Sequence, residues 1–151
     1  MPAYFLTWTT YGTRLAGDPR GSIDKQHNTP QSSLLKPHPK RHTANMLQLK
    51  EPPLVLSPNQ RQLLNNVIPE HCAFRGWRLY AHNVRTNHIH VVLAADTTPE
   101  DVMGKLKSRC SRMLRDQNES LRRVWTAHGS TRWLNDDAAI ENAINYVMMM
   151  Q

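Results

Sequence analysis

Acidic residues are scarce in this sequence, cysteine is nearly absent, and no long apolar run interrupts it. Asp and Glu number 12 against 19 Lys and Arg, which leaves a formal net charge of +7 on 151 residues. That imbalance argues against an acidic, solvating surface and for a polyanionic partner, because each neutralised phosphate releases counterions and adds sequence-independent affinity. Taken alone, the charge is equally compatible with a solvated basic surface, so particular residues must carry the argument. Cys72 and Cys110 lie far apart and form no CxxC spacing, which excludes a thiolate metal cluster. No apolar stretch approaches the roughly 18 residues that span a bilayer. The first residues, Met1 to Tyr4, lack the basic and apolar blocks of a signal peptide. The expectation is a reducing, cytoplasmic protein with no membrane partner.

The length suits one domain, 1–151, with a core of its own. An aromatic and β-branched segment, Tyr4 to Tyr11, reads as a strand that stops at Gly12. The stretch 17–57 then changes character, with Pro19, Pro30, Pro37, Pro39, Pro52 and Pro53 and scattered basic residues. An insertion of that length is usually functional or partly disordered. Its Lys36, Lys40 and Arg41 are suited to a phosphate backbone, although a solvated loop explains each of them as well. Ser57-Pro58 gives an N-cap followed by proline at the first helical position, and Leu63, Leu64, Val67 and Ile68 follow at helical spacing towards Gly76.

Trp77 to Val84 and His88 to Ala95 read as strands joined by a turn at Thr86-Asn87. Thr97 to Asp101 opens a second helix, whose Val102, Met103, Leu106, Cys110, Met113 and Leu114 face inward. Thr131 to Leu134 is a short strand. Asn135 to Asp137 then cap a last helix with Ile140, Ala143, Ile144, Val147 and Met148 on one stripe. The order is β-α-β-β-α-β with an added C-terminal helix, an α+β ferredoxin-like split sandwich with an antiparallel sheet. Such a fold hosts many functions, so the site must decide.

The most informative tripeptide is His88-Ile89-His90. On a strand, residues i and i+2 share a face, so the two imidazoles stand side by side, opposite to Ile89, Val91 and Leu93. As neutral rings they can share one divalent metal and leave positions open for substrate oxygens. A polar strand face accounts for the pair equally simply. Tyr146 is the tyrosine whose setting differs from packing, at about 240° around the last helix from Ile140. Its hydroxyl is placed to meet a substrate, although a half-exposed flank also suits it. A phenol is a poor nucleophile until a metal or charge stabilisation assists it. Gln151 falls about 20° from Ile140, inside the apolar stripe, where a buried amide needs a partner such as a metal; fraying of a terminal residue is the plainer account. Lys105, Ser108, Arg109 and Arg112 follow i, i+3, i+4, i+7 spacing, a basic ridge fitted to DNA phosphates or to water. Trp77, Trp125 and Trp133 suit either stacking on unpaired bases or the core.

Asn87 to Val92, the helix carrying Gly104 to Ser108, and Tyr146 with a downstream glutamine together resemble the single-tyrosine HUH transposases. These comprise the insertion-sequence 200/605-type transposases and the REP-associated tyrosine transposases. The resemblance runs in order along nearly the whole chain, with 17–57 as the main extra. It implies a homodimer that uses Mg²⁺ or Mn²⁺ and recognises single-stranded DNA with hairpins. It further implies that His88 and His90 ligate the metal, while Tyr146 attacks the scissile phosphate to give a 5′-phosphotyrosine and a free 3′-hydroxyl. In the family pattern the metal-binding glutamine follows the tyrosine by four residues. Here Met150 occupies that place and Gln151 comes one later, so Gln151 stands as the third ligand, with Asn142, one turn upstream of the tyrosine, as a weaker substitute. Two further functions remain open: a ferredoxin-like nucleic-acid binder without catalysis, and a metal-dependent nuclease that uses water. A domesticated relative that cuts chromosomal repeats would share all the chemistry.

Overall fold

Strict alternation shapes the first strand, β1 (Ala3–Thr9). Tyr4, Leu6 and Trp8 enter one apolar cluster, while Ala3 and Phe5 enter another on the opposite side. A strand whose two faces are both apolar belongs in the middle of a covered sheet, and β1 is central. The computed structural model describes residues 1–13 and 52–149. Lys36, Lys40 and Arg41 of the expected insertion lie outside them.

The elements after β1 are α1 (Pro58–Arg75), β2 (Arg78–Val84), β3 (His88–Ala94), α2 (Pro99–Gln117), β4 (Ser130–Leu134) and α3 (Asp137–Met149). The sheet order is β2-β3-β1-β4, antiparallel throughout, as the split ferredoxin-like pattern requires. The helix ends are where the caps place them. Ser57 and Gln60 form a reciprocal capping box at α1, and Gly76 closes it in the left-handed conformation (φ 77°). The Thr98 hydroxyl accepts from the Asp101 amide at the start of α2, and the Asp136 carboxylate accepts from the Ala139 amide at α3.

Helices α1 and α2 cover one face of the sheet. Leu64, Val67, Ile68, Val102, Leu106 and Leu114 pack there against Tyr4, Leu6, Trp8, Ile89, Val91 and Leu93. The other face carries α3 alone, whose Ala143 and Val147 pack on Phe5, Ala81, Val92 and Leu134. Because a single helix cannot cover the whole face of a four-stranded sheet, part of that face stays open, and the site lies there.

Two expectations are corrected. The insertion was expected to run to Ser57, yet Leu56 is fully buried in the main core, and its amide donates to the Thr86 carbonyl (2.7 Å). Residues 54–57 therefore belong to the domain frame. Met148 was placed on the inward stripe of α3, but it is 50% exposed. Only Ala143 and Val147 are buried on that helix, with Ile140 and Ile144 half-buried at its flanks.

Candidate active site

The open face of the sheet carries His88 and His90 on β3, next to Phe5 and Thr7 on β1. The two imidazoles stand with centroids 4.8 Å apart and planes at 77°. His90 is buried and lies in register between Thr7 on one side and Asn83 on the other. Its Nδ1 meets the Thr7 hydroxyl at 2.8 Å. The Nδ1–H of His88 donates to the Asn87 side-chain oxygen, also at 2.8 Å. An amide oxygen only accepts, so this bond sets the His88 tautomer with its lone pair on Nε2. Oriented imidazoles of this kind are the usual outer-shell arrangement around a metal.

Tyr146 reaches the same place from α3. Its ring centroid lies 5.8 Å from that of His90 and 5.9 Å from that of Phe5. Phe5 also touches His90 edge-on at 5.6 Å, so the three rings pack in one cluster. Tyr146 is 52% exposed, which leaves the phenol accessible. Helix α3 is fixed close to this point by Asn83, whose buried amide donates to the Val147 carbonyl (3.2 Å).

His90 and Tyr146 line a cleft of about 880 Å³. Its floor holds Phe5 and Thr7, its α3 side Asn142 and Ala143, and its far wall Thr126 to Ser130 with Arg132. The other tyrosines are used elsewhere. Tyr4 is buried and donates its hydroxyl to the Thr97 carbonyl (2.6 Å), with its pKa raised chiefly by desolvation. The Arg123 guanidinium sits over the Tyr11 ring, and Tyr80 lies on the edge strand β2.

The donor set suits a divalent ion that accepts imidazole and oxygen ligands. Among the described residues no group of three His, Cys, Asp or Glu converges, so a third protein donor would be a neutral oxygen (an amide, a hydroxyl or a backbone carbonyl) or lie beyond them. Asn142 is such an amide and lines the cleft. Gln151 lies outside the described residues.

The basic ridge has a different address. Lys105, Ser108, Arg109 and Arg112 line a second cleft of about 460 Å³ with Val67, Glu70, His71, Phe74 and Arg75 of α1. It lies in the helix layer, across the sheet from the histidines. Asp101 pairs with Lys105 (2.9 Å), and its carboxyl pKa is lowered first by that bond. The net cationic character there therefore comes from Arg75, Arg109 and Arg112. Of the tryptophans, Trp77 and Trp125 pack against the core, and Trp133 stays 55% exposed, edge-on to Tyr4.

Sequence reading did not single out Thr7, Asn83, Arg132 or His128. The first two act on His90 and α3 only through cross-strand register, which no local pattern encodes. His128 had a faint local signal: it precedes a glycine between two elements, where positive φ is common.

The sequence model of the IS200-like transposases matches residues 45–136, more than half of the chain, including both histidines but not Tyr146. No curated protein matches the chain. Among solved structures, a REP-associated tyrosine transposase bound to a REP hairpin is similar over 99% of this chain at 12% identity, with a TM-score of 0.59. This chain spans 66% of that protein's length. A crystallised protein from Deinococcus radiodurans R1, described as a transposase, is similar over 99% of this chain and 90% of its own, at 14% identity and a TM-score of 0.55. With the paired histidines and the fold in agreement, the chain belongs to the IS200-like transposase family.

Proposed function

We propose that this transposase cleaves and rejoins single-stranded DNA with Tyr146 as its nucleophile. The observation that carries this reading is the packing of Tyr146 against His90, 5.8 Å between centroids, at the mouth of one open cleft. Helix α3 and strand β3 are far apart in sequence, and core packing alone does not demand a half-exposed phenol beside a buried imidazole.

His88 and His90 would hold Mg²⁺ or Mn²⁺, with Gln151 or Asn142 as third donor. When bound, such an ion supplies Lewis-acid polarisation of the scissile phosphate. Thr7 and Asn87 orient the imidazoles through Nδ1. The Tyr146 oxygen attacks the phosphorus and gives up its proton. The bond from phosphorus to the 3′-oxygen breaks, and that oxygen leaves as a hydroxyl. The product is a 5′-phosphotyrosine, and attack by another 3′-hydroxyl reseals the strand and restores the phenol. One phosphodiester is exchanged for another, so no separate energy source is needed.

Lys105, Ser108, Arg109 and Arg112, with Arg75, form a surface suited to the DNA backbone away from the cleavage point. A hairpin in the single strand is a fitting occupant, given that the similar REP-associated transposase is bound to one. The acting unit in this reading is a homodimer.

The test is a covalent-adduct assay with labelled single-stranded DNA from the ends flanking the gene, with and without Mn²⁺. The expected result is a metal-dependent adduct on a denaturing gel, lost in Tyr146→Phe and in His88→Ala. Cleavage without an adduct would assign the chemistry to water. Binding with neither would leave a nucleic-acid-binding module.

A further inference from the structure

The far wall of the cleft is the segment 126–130, which leads into β4, and it is built with unusual economy. Lys107 of α2 donates from its ammonium to the Thr126 carbonyl and to the His128 carbonyl, both at 3.0 Å. The Trp125 indole N–H donates to the Lys107 carbonyl at 2.9 Å. The Thr126 amide donates to the Thr9 carbonyl at 3.1 Å. One residue of the helix layer thus anchors the start and the middle of this short loop. Desolvation lowers the pKa of its ammonium, a cost that the two carbonyl bonds offset.

The loop so anchored is strained and tight. His128 sits at φ 67°, a left-handed conformation that an L-residue adopts reluctantly and glycine adopts freely. Gly129 has no room for a side chain: a Cβ there would stand 2.7 Å from the Thr7 carbonyl oxygen and 2.8 Å from the Met103 sulfur. Thr7 is the residue that holds His90, so the loop is seated directly on the strand that orients the metal-facing histidine. Strain over-determined by its surroundings points to a function for the outlier.

What the loop presents is polar. His128 and Ser130 line the cleft with Arg132, and Arg132 is the only lysine or arginine among the described residues that does so. A cation beside a hydroxyl and an imidazole, on the wall of the cleft that Tyr146 also lines, fits an anionic phosphodiester. The geometry points to segment 126–132 as a preformed subsite for the nucleotide flanking the scissile phosphate, with Lys107 as the positioning residue beneath it. This inference rests on the strand-cleavage reading of the cleft and adds to it where the strand lies.

The experiment compares wild type with His128→Gly, Lys107→Met, Lys107→Arg and Arg132→Gln. Steady-state cleavage with Mn²⁺, melting temperature, and anisotropy of a short fluorescein-labelled oligothymidylate are read for each. His128→Gly relieves strain, so its melting temperature stays level or rises, and its KM rises nonetheless. Arg132→Gln raises KM about tenfold, the loss of one charge-assisted contact, and Lys107→Met does so by releasing the loop, with kcat nearly unchanged in both. Lys107→Arg recovers most of the loss. Wild-type KM in both His128→Gly and Arg132→Gln would overturn the subsite, as would losses that track only the melting temperature. If wild type neither cleaves nor forms an adduct, the strand-cleavage reading falls by itself. Anisotropy then decides the subsite, which is sunk if these variants bind the oligothymidylate as tightly as wild type.

Discussion

At the scale of single residues, the candidate site depends on side chains that do no chemistry themselves. His90 is fixed by a hydroxyl from the neighbouring strand and His88 by the amide that precedes it in sequence. Replacing such outer partners typically lowers metal affinity or activity by about 10–100-fold. Thr7→Val keeps the β-branched shape on a strand and removes only the hydroxyl. The expected outcome is Mn²⁺ binding weakened about tenfold in titration calorimetry, with a melting temperature lowered by a few degrees because the buried His90 Nδ1 loses a partner. Asn87→Ala should act alike on His88. Unchanged Mn²⁺ affinity in both variants would mean that the histidines are not held for a metal. The same logic separates Tyr146 from the other tyrosines: Tyr4 spends its hydroxyl on the Thr97 carbonyl inside the core, whereas Tyr146 keeps its ring against His90 with half its surface open.

At the scale of elements, the sandwich has one well-covered face and one lightly covered face, and the tyrosine rides on the light cover. Helix α3 buries only Ala143 and Val147, so its register over the histidines needs a polar tie as well. Asn83 supplies it by donating to the Val147 carbonyl while standing opposite His90 in the β2–β3 ladder. Asn83→Ala removes that bond, a local cost of about 0.5–1.5 kcal/mol. The last turn of α3 should exchange its amides faster by mass spectrometry, and adduct formation should slow, while Mn²⁺ affinity stays as in wild type. Most of this architecture was legible in the sequence. Ser57, Pro58 and Gly76 bounded α1, Thr98 and Pro99 opened α2, and the alternation about Ile89 put both imidazoles on the open face. The ties that assemble the site were not legible, because Thr7, Asn83 and Lys107 act across strands or layers. Met148 misled for a related reason: the periodicity of α3 describes an apolar stripe, but how much of a stripe is buried depends on the width of what lies beneath it.

At the scale of the molecule, basic charge and buried histidine meet in the helix layer, and together they set a dependence on pH. His71 has its pKa lowered first by desolvation and then by Arg75, Arg109 and Lys105 around it. The Arg75 side chain also donates to His71 Nε2 (3.3 Å), a bond that exists only while that nitrogen is unprotonated. His82 on β2 is lowered by desolvation, partly opposed by its hydrogen bond with the Asn65 backbone. The Asn65 carbonyl has no helical N–H to take, because the residue four positions on is Pro69. Both imidazoles therefore bind protons more readily unfolded than folded. Their contribution is fully present above the unfolded value of 6.5 and is lost as pH falls below it towards the lower folded values. The urea midpoint should drop between about pH 7.5 and about pH 5.5, and His82→Gln with His71→Gln should flatten that slope. Phosphate in the second cleft would act in the opposite sense, since an anion beside Arg75, Arg109 and Arg112 favours a protonated His71. Single-stranded DNA should therefore bind more tightly at the lower pH, with a gain that His71→Gln removes and His82→Gln does not. Equal gains in both variants would place the phosphate contacts away from this cleft.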